Sequence, residues 1–196
     1  MIIRKAKPND AEQVATLLST AIDELSSSLS EFKDKTQIVA LLMQFFKMKR
    51  NRFSYQYIDV AKIDNNIVGM VLSFPAEWID RLSIPIEEKL PSNCLTNGEL
   101  HGSKEIPLIS PIEGEEGEYY IDSIAVSPKY RRQGIGRDLL EVARLKGITY
   151  RMDTSSLIVN THNHKARKLY QRVGYKPIDT FDFSGMEYIK MAKSIC

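Results

Sequence analysis

Disulfide chemistry has little to work with here, because the 196 residues hold only two cysteines, Cys94 in a loop-like stretch and Cys196 at the last position. Two thiols are too few for a disulfide framework and lack metal-ligand spacing. Long apolar runs are missing too: Ile38 to Met43 falls far short of the roughly 20 residues a membrane helix needs. Net charge is small, a formal +2, which gives no electrostatic footprint for nucleic acid. The most basic stretch, Lys47 to Arg52, reads as a solvated helix end. Met1 to Lys5 carries no apolar segment followed by a small-residue cleavage site, so the expectation is a cytoplasmic protein without membrane or nucleic-acid partners. Repeats and low-complexity tracts are also absent.

What is present suits a single domain over 1–196, with 43% hydrophobic and 27% charged residues. Met1 to Lys7 alternates as a strand, and Pro8-Asn9-Asp10 then starts a helix whose apolar face is Ala11, Val14, Leu17, Leu18, Ala21 and Ile22. A second helix runs from about Lys35 to Lys49. Tyr55 to Ile63 and Ile67 to Phe74 form an antiparallel hairpin around Asp64-Asn65-Asn66, where Asn suits a left-handed turn. From about 76 to 117 the pattern dissolves into a long insertion, with a short helix around Ile79 to Leu90. Structure resumes with strand Tyr119 to Val126, helix Arg137 to Lys146, strand Ser156 to Val159, helix Lys165 to Val173, and a hairpin of Tyr175 to Phe183 with Glu187 to Ala192. The order predicts an α/β (α+β) domain with one sheet and helices on its faces.

Chemistry concentrates at Arg131-Arg132-Gln133-Gly134-Ile135-Gly136, where a strand passes into a helix. Glycines there let the backbone turn tightly and bring its N–H groups close to a ligand. With the positive end of the helix dipole behind them, those N–H groups make an anion site suited to phosphate or pyrophosphate. A nicotinamide-binding Rossmann loop would need a further glycine and an acidic residue about 20 positions on, after the first strand, whereas this loop follows the fourth predicted strand.

The run Ile124-Ala125-Val126-Ser127-Pro128, followed by Arg131-Arg132-Gln133-Gly134-Ile135-Gly136, resembles the central signature of the GNAT acyltransferase family. Downstream, Asn163, Ala166, Leu169, Tyr170, Gly174 and Tyr175 match that family's second signature, Asn-x-x-Ala-x-x-Leu-Tyr-x-x-x-Gly-Phe/Tyr. The resemblance is sharp over Tyr119 to Lys176. It implies a mixed, mostly antiparallel sheet splayed between its fourth and fifth strands and flanked by about four helices, with acetyl-CoA in the split as cosubstrate. On this pattern the pantetheine would pair with the backbone of Ile124, Ala125 and Val126. The loop Arg131, Arg132, Gln133, Gly134, Ile135, Gly136 and Arg137 would take the pyrophosphate, with Asn163, Ala166 and Tyr170 as further contacts.

The reaction so implied is N-acetylation by direct attack of an amine on the thioester, with no covalent enzyme intermediate. Tyr170 matches the family tyrosine that protonates the departing thiolate, and a phenol stays protonated at neutral pH. The oxyanion falls to a backbone N–H of Ile124 or Val126. Proton removal from the amine needs a base or a water relay, and the two-residue period of the strand puts Asp122, the first candidate, and Glu118, the second, on one face. The position where some histone-acetylating relatives carry a glutamate is Tyr120 here, and Glu118 also reads as a solvated structural carboxylate. Asn163 reads as a helix N-cap besides a cofactor contact.

His162 and His164 lie two apart on a loop without a third ligand, so no metal is expected. The acceptor is a small-molecule or peptide amine, and the acidic residues of the insertion, among them Glu87, Glu88, Glu99, Glu105, Glu113, Glu115 and Glu116, form either an attractive rim or a solvated charge run. A homodimer is consistent with the resemblance. Two alternatives stay open: transfer of another acyl group, and a coenzyme A-binding regulatory module without turnover.

Overall fold

A computed structural model of the protein describes residues 1–25, 35–89, 114–183 and 185–195. Its strands are β1 (Ile2–Lys5), β2 (Ile58–Ile63), β3 (Asn66–Pro75), β4 (Glu118–Val126), β5 (Thr154–Asn160), β6 (Lys176–Phe183) and β7 (Met186–Ser194). Among the described residues the helices are α1 (Ala11–Leu25), α2 (Lys35–Lys47), α3 (Ile79–Glu87), α4 (Ile135–Thr149) and α5 (His164–Arg172). The seven strands form one sheet in the order β1-β2-β3-β4-β5-β7-β6. Neighbours are antiparallel except β4 and β5.

Alternation along the strands builds two cores, one on each face. On one face Met70, Leu72 and Phe74 of β3 and Tyr120 of β4 pack with Leu18 of α1, Phe45 and Phe46 of α2, and Leu82 and Ile86 of α3. On the other, Val71, Tyr119 and Ile121 pack with Leu139, Leu140 and Ala143 of α4 and with Tyr170. Each fully buried side chain of this size contributes about 1.5–3 kcal/mol of transfer free energy.

Local details adjust the sequence reading. Residues 55–57, expected as the start of β2, form a 3₁₀ turn in which the Gln56 N–H donates to Ser54 Oγ. In the β2–β3 hairpin the left-handed residue is Asp64, at φ 52°, rather than an asparagine. The stretch beginning at 76 holds α3, which buries Leu82 and Ile86 despite an internal Pro85. Cys94, Glu99, Glu105, Glu113 and Cys196 lie outside the described residues.

The feature that positions a site is the junction of β4 and β5. Their parallel ladder covers only Glu118↔Thr154, Tyr119↔Ser155 and Tyr120↔Ser156. Beyond it β4 continues to Val126 on β3, while β5 continues to Asn160 on β7. The sheet therefore splits between its fourth and fifth strands, leaving the last six residues of β4, Ile121 to Val126, unpaired with β5.

Candidate active site

The loop after β4 folds as the glycine spacing requires. Pro128–Tyr130 makes a 3₁₀ turn, Arg132 takes a left-handed φ of 65°, and Gly134, at φ 85°, is the N-cap of α4. Asp138 N–H donates to Gly134 O at 3.0 Å. The amides of Ile135, Gly136 and Arg137 precede that bond, in the first turn, where a helix offers no backbone acceptor. They are aligned with the positive end of the helix, which suits an anion. Arg131 Nε donates to Val126 O at 3.0 Å, tying the loop to the end of the open strand.

The second signature meets the first in space. A Cβ on Gly136 would stand 3.1 Å from Leu169 and 3.8 Å from Val126, so α5 closes directly on the start of α4. Tyr170 follows Leu169, is buried, and packs edge-on against Tyr175 with ring centroids 6.2 Å apart. Tyr175 is itself held by a 2.7 Å hydrogen bond between its hydroxyl and Ser155 Oγ. Asn163 caps α5, its Oδ1 accepting from Ala166 N–H at 3.1 Å. The capping role expected of Asn163 is thus present, and it occupies the Ala166 amide.

The two carboxylates are committed elsewhere. Asp122 Oδ1 accepts from Arg52 Nε at 2.9 Å and also from Nη2, in an ion pair whose side chains are 3% and 5% exposed. Glu118 Oε2 accepts from Ser156 Oγ at 2.7 Å and from Glu115 N–H at 2.8 Å, and lies 3.2 Å from Lys190 Nζ. Glu118 is buried rather than solvated, and Tyr120 is buried in the core. β3 pairs Leu72 with Ser123 and Ser73 with Ile121, so Asp122 is the extra residue of a β-bulge.

The sequence reading missed Arg52, Lys190 and Ser156. Arg52 belongs to the basic stretch read as solvated; Lys47, Lys49 and Arg50 are exposed, but Arg52 is buried. A signal was available in Phe53, which follows it as a core residue. A groove of about 360 Å³ lies along α4, where Arg137, Glu141 and Arg144 face Val173, Tyr175 and Lys193. Its lining includes no residue of β4 or β5, and its arginines are paired, Arg137 with Asp138 at 3.0 Å and Arg144 with Glu141 at 2.8 Å.

Among the described residues no group of three or more His, Cys, Asp or Glu side chains is arranged to hold a metal. None of their helices is long and apolar enough to cross a membrane.

Residues 19–175 match the profile of the Acetyltransferase (GNAT) family. A structure described as an N-acetyltransferase from Staphylococcus aureus Mu50 superposes with a TM-score of 0.82 at 26% identity, covering 98% of this chain and 100% of that one. Another, described as an acetyltransferase, gives 0.75 at 26% identity over 100% of both chains. A ribosomal-protein-alanine N-acetyltransferase from Brucella melitensis shares the fold, at 15% identity, a TM-score of 0.58 and 99% of each chain. No curated protein sequence matches the chain.

Proposed function

Given that the chain belongs to the GNAT acetyltransferase family, we propose that it transfers the acetyl group of acetyl-CoA to a primary amine, by direct attack within a ternary complex. The observation that carries this reading is the opening of the sheet after Tyr120↔Ser156 immediately beside the start of α4 at Gly134. A strand edge with free pairing capacity and a set of helix-start amides lie on one path. An extended amide-bearing chain such as pantetheine can pair with the former while its pyrophosphate meets the latter.

In this reading the backbone of Ile124, Ala125 and Val126 orients the thioester arm, and one of its N–H groups receives the negative charge that develops on the carbonyl oxygen. Ile135, Gly136 and Arg137 hold the pyrophosphate through their amides, with Gly134 and Gln133 shaping the approach. The flanking cations Arg131 and Arg132 add attraction that salt will screen. Tyr170 donates its phenolic proton to the departing sulfur. Its ring is seated by Tyr175, so the hydroxyl needs little reorganisation.

The amine must arrive neutral. Transfer of its proton to Asp122 would neutralise the carboxylate of the buried Arg52–Asp122 pair, and transfer to Glu118 would neutralise one of the two carboxylates that face Lys190. We therefore assign proton removal to solvent water entering the split, in place of a dedicated carboxylate. Asp122 and Glu118 become residues that shape the split.

Titration calorimetry with acetyl-CoA tests the cofactor half of the proposal, using wild type and Gly134→Asp, which sets a carboxylate where the pyrophosphate would rest. Binding that is lost in a folded variant supports the site; a folded wild type that fails to bind refutes it. Release of free coenzyme A on adding polyamine, lysine peptide or amino sugar separates an enzyme from a regulatory module, which binds without releasing. Propionyl-CoA and succinyl-CoA in the same assay test the acyl group.

A further inference from the structure

The Arg52–Asp122 pair is a buried ion pair on the open stretch of β4, and its placement goes beyond packing. Asp122 is the unpaired residue of the bulge, two positions after the β4–β5 ladder ends at Tyr120 and two before Ile124. In a strand, successive N–H groups point to opposite edges, and a one-residue bulge inverts that phase for every residue beyond it. The bulge therefore decides which amides of Ser123 to Val126 face β3 and which face the split.

Arg52 is well placed to hold such a bulge, because it is fixed independently of β4. Its own N–H donates to Leu82 O of α3 at 2.9 Å. The preceding Asn51 donates from Nδ2 to Phe45 O at 2.9 Å and Met48 O at 3.0 Å at the end of α2, and its Oδ1 accepts from Phe53 N–H at 2.9 Å. A rigid turn between α2 and β2 thus aims the guanidinium at the bulge, where two of its N–H groups meet Asp122 Oδ1. A fork of this kind fixes orientation as well as distance, which a single ammonium does not.

We propose that Arg52 is a positioning residue for the acyl-CoA strand: through Asp122 it locks the bulge that sets the amide phase of Ile124 to Val126. This inference rests on the split being the acetyl-CoA site.

The test uses Arg52→Lys, Asp122→Asn and the double variant Arg52→Met/Asp122→Leu, which removes both charges of the pair together. Acetyl-CoA affinity is measured by calorimetry well below each variant's melting temperature, with hydrogen exchange of 121–126 followed in the ligand-free protein. Expected are a rise in Kd of roughly tenfold to a hundredfold in the folded double variant, faster exchange confined to 121–126, and only partial recovery in Arg52→Lys. A double variant that binds acetyl-CoA as wild type does, or that only melts earlier, overturns the proposal and leaves the pair a structural one. Loss of turnover in Asp122→Asn with unchanged Kd also overturns it, in favour of Asp122 as base. If wild type itself binds no acetyl-CoA the functional reading falls first, and the exchange data alone report whether Arg52 holds the bulge.

Discussion

Leu169 Cδ2 lies 3.1 Å from the point that a Cβ on Gly136 would occupy. That distance is tighter than ordinary van der Waals contact, so a side chain at position 136 would require Leu169 on α5 to give way. Gly136→Ala is expected to push α5 outward, costing about 1–3 kcal/mol as overpacking does. Tyr170, next to Leu169, moves with it. Adding Leu169→Ala opens the space and recovers acetyl-CoA binding. A double variant that binds worse than Gly136→Ala alone would contradict the steric account, as measured by calorimetry and thermal melts on all three variants.

Gly147, inside α4, faces the same limit with the opposite helix-propensity sign. Alanine gains up to about 1 kcal/mol over glycine in a helix interior. Its Cβ would meet Tyr119 Cβ at 3.0 Å, and Ile195 Cδ1 closer still. Ile195 can rotate away; Tyr119 Cβ is fixed to β4. Sterics should win, so Gly147→Ala is expected to lower the melting temperature by several degrees, at roughly 2–4 °C per kcal/mol for a chain of this size. An unchanged or raised melting temperature would show that α4 shifts freely.

The strand–loop–helix site was legible in the sequence because its information is local: glycines at a strand end followed by a helical pattern leave few alternatives for Arg131 to Arg137. The buried charges were not legible. Arg52 finds its partner 70 residues away and Lys190 finds Glu115 at a separation of 75, and a burial rule based on side-chain polarity puts both at the surface. The bulge at Asp122 was hidden for a related reason. YYIDSIAV reads as an uninterrupted strand, and only the register with β3 reveals the extra residue. Helix α3 was half legible, since Pro85 argues against a helix that packing of Leu82 and Ile86 nevertheless supports.

Lys190 ties β7 to Glu115 and Glu118 at the closed end of the split, with its side chain 3% exposed. Lys190→Met removes the counter-ion and leaves Glu118 buried with uncompensated charge, a change that costs about 3–5 kcal/mol in comparable cases. Lys190→Met with Glu118→Gln should regain most of that loss, and Ser156→Ala should cost only about 1 kcal/mol. Urea melts decide it; equal losses in the single and double variants would remove the ion pair from the account.

Burial pushes the Tyr175 hydroxyl up to about 12 against the partly offsetting hydrogen bond between it and Ser155, and burial moves Tyr119 further in the same direction. A folded-state value above the unfolded one, about 10, means the contribution is complete below pH 10 and is lost as pH rises from about 10 to about 12. For Tyr175 the loss approaches roughly 2–3 kcal/mol at the upper end. Unfolding free energies at pH 8, 10 and 11 should fall in wild type and fall less steeply in Tyr175→Phe. Parallel slopes would mean that Tyr175 ionises freely in the fold.

Tyr170 carries the last prediction, because its ring and its hydroxyl have separable roles. The ring is buried against Tyr175 with centroids 6.2 Å apart, so Tyr170→Phe keeps the packing and removes only the proton donor. If the phenol protonates the leaving thiolate, kcat should fall by roughly 10²–10⁴ with an amine that turns over, while the Kd of acetyl-CoA changes little. The loss should shrink at acidic pH, where water and hydronium supply the proton more readily. Tyr170→Ala loses the ring as well and should weaken binding and stability together. A Tyr170→Phe variant with wild-type kcat would leave the tyrosine a packing residue and move the search for the acid to water in the split.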